Sequence, residues 1–257
     1  MNTLISYINR QSGIALLTLL ISLSACSPKL HRTSQDASLY NIKGLPVDST
    51  MQALYQPYKL SIDSQMNTVI GVAAVNLERK RPEGLLNNLV ADIMYQEGKR
   101  KNLTFDFVHT NFFGLRNSIA AGPIKAFKIY ELMPFENYFV TVTLKGTDVQ
   151  ELFNYIAALN GDPVSGVRFK IKDGKAVDIQ INGSAFDPSR DYTVLTIDYM
   201  ANGGDKAEVY TRGIKRFDST YRLRDAILAY IKQQQAQGKT ITSALDNRIQ
   251  SDNDTSK

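Results

Sequence analysis

The chain has 257 residues and a net charge of +5, with 30 basic and 25 acidic side chains, one cysteine and two histidines. Because this basic excess is mild and the charges mostly alternate in sign, neither a nucleic-acid groove nor a polybasic membrane patch is indicated. A single cysteine excludes an intrachain disulfide, and two histidines leave little for a metal centre built on histidine.

The first 25 residues have the pattern of a secretion signal. An apolar run at residues 14–23, too short to span a bilayer, follows Arg10 and leads into Leu-Ser-Ala-Cys. This is the form of a bacterial lipobox, in which Cys26 is lipidated and becomes the mature N-terminus. An ordinary secretory signal with a chance cysteine is the alternative, and the position of the only cysteine favours the lipobox. We therefore expect a membrane-anchored lipoprotein of the cell envelope, on the periplasmic side or the surface.

The rest of the chain divides by composition into a tether, one domain and a tail. Residues 26–47 are polar and lack periodicity, which is typical of a tether. Residues 48–250 are enough for one domain with a substantial core. Residues 251–257 are polar again, and we expect them to form a disordered tail.

The first half of this domain alternates between helical and strand patterns. In order, the patterns predict a helix from 49 to about 65, a strand over 68–77 and a helix opened by Pro82-Glu83 and ended by Gly98. A strand over 104–109, a turn at 111–116, a short helix over 126–133 and a strand over 137–144 follow. The first helix is expected to pack its apolar stripe onto the domain from outside. The strand over 137–144 is expected to be half exposed, because its apolar residues alternate.

The second half combines hairpins with two further helices. The patterns predict a helix over 148–159 capped by Thr147, strands over 167–171 and 176–181 joined by an Asp-Gly turn, a strand over 192–198, a glycine loop at 199–205 and a helix from 223 to about 234. No steady strand-helix-strand rhythm runs through the chain. The fold class is therefore α+β, a single domain with a mixed or antiparallel sheet packed by helices.

Four residues at strand boundaries are candidates for binding. Arg116 follows a glycine turn and can clamp an anion, although a structural salt bridge is an equal alternative. Phe135 and Tyr199 can stack on a planar base, although core packing is the commoner role of such residues. Asp205 follows two glycines and can accept hydrogen bonds from a sugar diol, or can serve only as a turn residue.

Catalytic motifs are missing from the sequence. His31 lies in the tether, and His109 ends a strand, where a structural histidine is commoner than a metal ligand. No Gly-x-Ser-x-Gly elbow is present, and neither glycine loop has the spacing of a phosphate cradle. The sequence thus predicts no catalytic residue and no metal site in this chain.

Taken in order, several short segments resemble the C-terminal, substrate-binding domain of the 5'-nucleotidase family. The segments are Pro82-Glu83, Asn88 to Asp92, Asn111 to Ile119 with Gly122, Pro134-Phe135-Glu136-Asn137, Leu144-Lys145-Gly146, Phe186 to Tyr192 and Asp198 to Asp205. Each segment is weak alone, but their order and spacing over residues 48–235 make the resemblance specific. The resemblance implies that domain's fold.

The resemblance also implies roles for particular residues. Arg116 would be the phosphate-side arginine, Asn111 a polar contact to the base, Phe135 and Tyr199 the two sides of a base clamp, and Asp205 the acceptor for the ribose hydroxyls. Lys80 or Arg81 would supply a further arginine-like cation before the helix at Glu83. The family usually has Asn-Gly-Gly-Gly-Ile-Arg, whereas Phe112 and Phe113 replace two of those glycines here.

In the family a separate N-terminal metallophosphatase domain holds two divalent metals and performs the hydrolysis. The resemblance does not extend to that domain, so the chain is not expected to be catalytic alone. It implies the nucleotide-binding half of a split 5'-nucleotidase in nucleotide catabolism, working with a metallophosphatase on a separate chain that carries the metals. A non-catalytic nucleotide- or nucleoside-binding lipoprotein is one alternative. The other is a scaffold whose site is closed by Phe112 and Phe113.

Overall fold

The computed structural model describes residue 44 and residues 46–251. The predicted signal peptide, the lipidation site Cys26, most of the predicted tether and residues 252–257 of the predicted tail lie outside the described residues. The chain divides into a unit that ends at Ser49 and a compact unit that begins at Thr50. All described helices and strands belong to the second unit, apart from the first residue of the first helix.

Helices and strands alternate irregularly along the second unit. The described helices are α1 (Ser49–Asn67), α2 (Leu85–Arg100), α3 (Ala126–Leu132), α4 (Gly146–Ala158), α5 (Asp198–Ala201) and α6 (Leu223–Ala236). The strands are β1 (Val69–Ala73), β2 (Phe107–His109), β3 (Gly122–Lys125), β4 (Tyr138–Leu144), β5 (Val164–Ser165), β6 (Val167–Lys172), β7 (Lys175–Ile181), β8 (Ser184–Ala185), β9 (Tyr192–Ile197), β10 (Lys215–Arg222) and β11 (Ile249–Ser251). Short 3₁₀ turns cover Phe112–Gly114, Gly204–Lys206 and Glu208–Arg212.

The strands form two larger sheets and a ribbon. One sheet has the order β10-β4-β9-β2-β5, and within it β2 and β9 are parallel while the other pairs are antiparallel. The second has the order β11-β6-β7-β8, with β11 parallel to β6. Strands β1 and β3 pair as an antiparallel ribbon. The predicted α+β class with a mixed sheet is confirmed.

The core lies between these sheets and the helices. Helix α4 packs against both sheets, because the ring of Phe153 lies 5.4 Å from Phe107 on β2 and 5.3 Å from Phe169 on β6. All three rings are buried. The predicted apolar stripe of α4, which includes Phe153, therefore fills the space between the two sheets and holds them in one core.

Helix α2 has the predicted buried stripe but not the predicted end. The residues that follow three- and four-residue spacing are buried: Leu86, Leu89, Val90, Ile93 and Met94. Gly98 does not stop the helix, which continues to Arg100. A Cβ at Gly98 would lie 2.6 Å from Leu195 and 2.8 Å from Phe105. This glycine is thus needed for close packing and was wrongly taken as a terminator.

Helix α1 forms, but the prediction that it packs onto the domain is wrong. It begins at Ser49, so Pro57, which the sequence suggested would bend the helix or delay its start, does not delay it. None of its residues is buried, and its apolar residues are 48% to 70% exposed: Met51, Leu54, Tyr55, Tyr58 and Ile62. Periodicity reports that a helix has an apolar face, and cannot report what covers it. No helix in residues 46–251 is long and apolar enough to cross a bilayer.

Three further expectations need correction. Strand β4 is not half exposed, because residues 139–142 are all buried between β10 and β9. Thr147 does not cap α4, which starts at Gly146 after Lys145 in the cap position. The strands predicted over 68–77 and 104–109 shorten to β1 and β2. The hairpin of β6 and β7 is confirmed, and its Asp173 and Gly174 have the positive φ values of 49° and 71° that such turns require.

Candidate functional site

Five of the seven predicted binding residues line one cleft of about 240 Å³: Asn111, Arg116, Phe135, Tyr199 and Asp205. Phe113, Gly114 and Asn137 complete its lining. The residues come from three separate segments, namely the exit of β2, the loop before β4 and the region after β9. No local pattern of apolar and polar residues shows that these segments meet, although the resemblance implied that they form one site.

The sheet topology explains why they meet. Strands β2 and β9 run parallel, with Val108 opposite Leu195, so both end at the same edge of the sheet. Strand β4 runs antiparallel to β9, with Phe139 opposite Ile197, so its beginning lies at that edge too. Loops at the carboxyl ends of two strands and the amino end of a third therefore surround one space. Ligand sites in open sheets commonly form outside the carboxyl ends of strands.

Asp205 is the centre of the hydrogen bonding in this cleft. One carboxylate oxygen accepts from the Asn111 amide at 2.7 Å, and the other accepts from the Tyr199 hydroxyl at 2.7 Å. The Tyr155 hydroxyl donates to the backbone carbonyl of Asp205 at 3.0 Å. Asp205 itself has a left-handed φ of 51°. It is thus a turn residue, as one reading of the sequence held, and also a fixed acceptor with lone pairs left over.

Two aromatic residues of the cleft are open to solvent. Phe135 is 43% and Tyr199 is 44% exposed, so neither is a core residue, which was the commoner role expected for such residues. The hydrogen bond to Asp205 raises the pKa of Tyr199 above its ordinary value. Tyr199 therefore keeps its proton and donates to Asp205 throughout the neutral range.

Arg116 is exposed and carries no ion pair to any residue in the range 46–251. Its guanidinium carbon lies 5.8 Å from the centre of the Phe135 ring, and its backbone N–H donates to Leu132 at 2.8 Å. The backbone is thus fixed while the cationic group remains available. The sequence left two roles open for Arg116, an anion clamp and a structural salt bridge. The salt bridge is not observed among residues 46–251.

Asn111 and Gly114 contact each other across the turn. The Asn111 side chain is buried, its nitrogen is bound to Asp205, and its oxygen Oδ1 has no partner among the described residues. A Cβ at Gly114 would lie 2.6 Å from that oxygen. The glycine therefore leaves room for the Asn111 amide, whose oxygen is buried against Gly114. A buried acceptor of this kind is costly unless a ligand or water satisfies it.

Gly114→Ala is expected to lower the free energy of unfolding by about 1–2 kcal/mol, because the added methyl group must displace the Asn111 amide. Urea denaturation of the variant measures the change. Gly174→Ala is not a suitable control, because Gly174 has a positive φ. Ala120→Ser at an exposed position is the matched control and should change stability by less than about 0.5 kcal/mol. An unchanged midpoint for Gly114→Ala would contradict the close contact.

The two cations predicted before the helix at Glu83 do not line the cleft. Arg81 donates to Asp162 at 3.0 Å, and its guanidinium carbon lies 4.5 Å from the Phe112 ring. Lys80 lies along a different groove, beside Glu83 and Leu245. Sequence reasoning also missed Arg79, which donates to the carbonyl of Leu115 at 2.7 Å. Its only signal was membership of the basic run at residues 79–81.

The buried carboxylate of Asp162 supports the turn at residues 111–116. Asp162 is 2% exposed and accepts from Arg81, from the backbone N–H of Phe112 at 3.3 Å and from His109 at 3.3 Å. The other nitrogen of His109 lies 2.7 Å from the Tyr210 hydroxyl. Burial raises the pKa of Tyr210 well above its ordinary value, so Tyr210 is the donor in this pair. His109 is thus a satisfied structural residue, as the sequence suggested.

No group of three or more histidine, cysteine, aspartate or glutamate side chains in the described part of the chain is placed to hold a metal ion. The cleft instead offers aromatic faces, one carboxylate, two amides and one guanidinium. These groups can bind and orient a ligand that has a planar ring, hydroxyls and an anionic end.

The sequence profile described as "5'-nucleotidase, C-terminal domain" matches residues 69–212, which is more than half of the chain and includes every residue of the cleft. The chain belongs to the 5'-nucleotidase C-terminal domain family. Within this family, Protein UshA of Escherichia coli is 28% identical over 162 residues, covering 60% of this chain and 29% of UshA. Cell wall protein Lmo0130 of Listeria monocytogenes is 23% identical over 243 residues, covering 81% of this chain and 30% of Lmo0130.

Solved structures agree with this membership. The crystal structure of a 5'-nucleotidase precursor from Thermus thermophilus superposes with a TM-score of 0.65 and 27% identity, covering 80% of this chain and 44% of that chain. The chain thus spans less than a third of the length of the two curated relatives and less than half of the structural one. It corresponds to the C-terminal domain of longer proteins.

Proposed function

We propose that this chain is the nucleotide-binding half of a split 5'-nucleotidase. It orients a 5'-nucleotide, and a metallophosphatase on a separate chain hydrolyses the phosphate ester. Membership of the 5'-nucleotidase C-terminal domain family supports this function. The observation that carries it is the single cleft into which Asn111, Arg116, Phe135, Tyr199 and Asp205 all converge.

The base of the nucleotide is placed between Phe135 and Tyr199. Both rings are exposed in the same cleft, and stacking on aromatic side chains tolerates any base because every base has a π face. Asn111 also lines the cleft and is the polar contact to the edge of the base.

The positions of the sugar and the phosphate follow from this placement of the base. Asp205 accepts from the ribose hydroxyls with the lone pairs that Asn111 and Tyr199 do not use. A cleft of about 240 Å³ is smaller than the roughly 300 Å³ at the low end of drug-sized pockets. It can enclose the base and the sugar, so the phosphate projects from its mouth beside Arg116.

The chain's part in the reaction is positioning. A nucleotide held by its base and sugar presents its phosphorus in one orientation, which lowers the entropic cost of attack by water. Arg116 balances part of the phosphate charge. The described residues do not form a site for the divalent metals that the family's hydrolysis uses. We propose that the partner holds those metals and supplies the activated water.

The location proposed for this function is the cell envelope. Its support is the lipobox pattern at Cys26 and the relationship to Lmo0130, which is a cell wall protein. A chain anchored by lipid on the extracytoplasmic side would meet nucleotides outside the cytoplasm. The lipid anchor alone is then sufficient to hold the protein at the membrane.

Phosphate release from AMP tests the split enzyme. The protein alone, a candidate metallophosphatase alone and their mixture are assayed with Mn²⁺ or Zn²⁺. We expect the mixture to exceed the sum of the separate rates by at least about tenfold, because positioning is supplied only in the complex. A second mixture containing Tyr199→Ala serves as the control and should lose the gain. A mixture no faster than the metallophosphatase alone would contradict the split enzyme, and AMP binding without such a gain would favour a non-catalytic binding protein.

Arg116→Ala is expected to weaken AMP affinity by about tenfold, because a charge-assisted hydrogen bond to phosphate is lost. Adenosine has no phosphate, so its affinity should change by less than about threefold. Calorimetric titration measures both. Arg190→Ala is the matched control, since Arg190 is also exposed and also lies over an aromatic ring, at 5.0 Å from Tyr192. Full AMP affinity in Arg116→Ala would remove this arginine from the phosphate site.

A further inference from the structure

Three arginines surround the turn at residues 111–116, but only one of them lines the cleft. Arg116 is a lining residue, whereas Arg79 and Arg81 are not. The difference matters because guanidinium groups are the preferred partners of phosphate. The number of free guanidinium groups therefore limits how many phosphates the site can hold.

The rings of Phe112 and Phe113 cover the other two arginines. The guanidinium carbons of Arg79 and Arg81 lie 4.8 Å and 4.5 Å from the centre of the Phe112 ring. They lie 5.7 Å and 5.3 Å from the Phe113 ring, which itself lines the cleft. Both arginines thus have cation–π contacts with Phe112 and Phe113, which we call the aromatic turn. Phe113 contacts both arginines and also lines the cleft.

Each covered arginine also has polar partners within the protein. Arg81 forms an ion pair with the buried Asp162 at 3.0 Å. Arg79 donates to the carbonyls of Leu115 at 2.7 Å and Phe112 at 3.3 Å. Recruiting either guanidinium for a ligand would break these contacts and leave Asp162 without one of its donors. That cost opposes any binding gained from a second phosphate.

The charge of the cleft lining also opposes the binding of a second phosphate. Arg116 and Asp205 are its only ionisable groups apart from the Tyr199 hydroxyl, so the described lining is close to neutral. One guanidinium can pair with one phosphate. Each additional phosphate brings further negative charge with no free cation to meet it.

We infer that the aromatic turn Phe112-Phe113 limits this site to one phosphate contact, so that a second or third phosphate adds no affinity beyond that of a nucleoside 5'-monophosphate. The inference rests on the proposed nucleotide-binding function and names the substrate class of that site. Phe113 is the specificity-determining residue, because it lies next to both the cleft and the covered arginines. The two phenylalanines thus leave the base and sugar positions open while removing cations from the phosphate side.

Calorimetric titrations of the full protein with adenosine, AMP, ADP and ATP, without divalent metal and at low salt, test this restriction. We expect ADP and ATP to bind no more than about threefold tighter than AMP, because only one guanidinium is free. If ADP or ATP binds more than about tenfold tighter than AMP, the inference is overturned while the nucleotide site stands. If neither adenosine nor AMP binds, the proposed function fails and takes the inference with it.

Variants of the turn give an independent readout. Phe112→Gly combined with Phe113→Gly should uncover Arg79 and Arg81 and raise the ratio of ADP to AMP affinity by at least about fivefold. Phe113→Ala alone should raise it in the same direction, and it is safe for folding because Phe113 is 54% exposed. Phe217→Ala is the matched control, since Phe217 is 53% exposed and lies outside the cleft. An unchanged ratio in a Phe113→Ala protein that unfolds cooperatively overturns the role of the turn.

Discussion

Asp162→Ala is expected to lower the free energy of unfolding by about 3–5 kcal/mol, because it removes one partner of a buried ion pair. The carboxylate is almost fully buried and accepts from Arg81, His109 and the backbone of Phe112. Without it, these buried donors lose their partner and a positive charge is left uncompensated. The turn that carries Asn111 and Arg116 also loses its anchor.

Urea denaturation measures the stability of this variant against two controls. Asp162→Asn keeps the volume and part of the hydrogen bonding, so it should cost less than alanine. Glu151→Ala removes an acidic partner of Arg212 that is 59% exposed, and such surface pairs contribute at most about 1 kcal/mol. A loss for Asp162→Ala no larger than that for Glu151→Ala would show that the buried group does not hold the turn.

Tyr199→Ala is expected to weaken AMP affinity by about a hundredfold. Stacking on a base is worth about 1–3 kcal/mol, and the tyrosine hydroxyl also holds one oxygen of Asp205 at 2.7 Å. The change therefore removes one side of the base clamp and loosens the group that receives the ribose. Calorimetric titration with AMP gives the affinity directly.

Two further variants separate the contributions of Tyr199. Tyr199→Phe keeps the ring and loses the hydroxyl, so it should cost about tenfold or less, in line with one hydrogen bond. Tyr58→Ala changes a tyrosine on α1 that is 70% exposed and outside the cleft, and should leave affinity unaltered. Tyr199→Ala with affinity within a factor of about three of the unchanged protein would contradict the base clamp.

Much of the fold could be predicted because local patterns were strong. The apolar spacing of α2, α4 and α6 defined these helices, and the Asp-Gly turn defined the hairpin of β6 and β7. Strand β10 could not be predicted, because seven of its eight residues are charged or hydroxylated and most are exposed at the sheet edge. Its position depends on pairing with β4, which is a property of the whole sheet.

Two of the failures in the fold have the same physical origin. Gly98 resembles a helix terminator in sequence, yet its lack of a side chain serves contact with Leu195 and Phe105. The pattern over residues 137–144 suggested one exposed face, yet residues 139–142 are all buried. In each case the deciding neighbour is distant in sequence, so local propensity was overridden by tertiary packing.

The candidate site, like the fold, was predicted only in part. Four of the five residues that meet in the cleft were candidates from their places at strand boundaries. The resemblance to the family added Asn111, and the roles of all five remain predictions. Arg81 and Lys80 were proposed from position in the chain, and the structure directs them elsewhere, toward Asp162 and toward a separate groove. Asp162 was missed altogether, because a single aspartate after a glycine carries no signal of burial. Its importance follows only from its three distant donors.

A crystal structure of the protein with AMP tests the central claim most directly. We expect the base between the rings of Phe135 and Tyr199, the ribose hydroxyls on Asp205 and the phosphate beside Arg116, with Arg79 and Arg81 still covered by Phe112 and Phe113. AMP bound elsewhere on the protein, or a cleft that stays empty at saturating AMP while the crystals admit the ligand, would contradict the proposed nucleotide site.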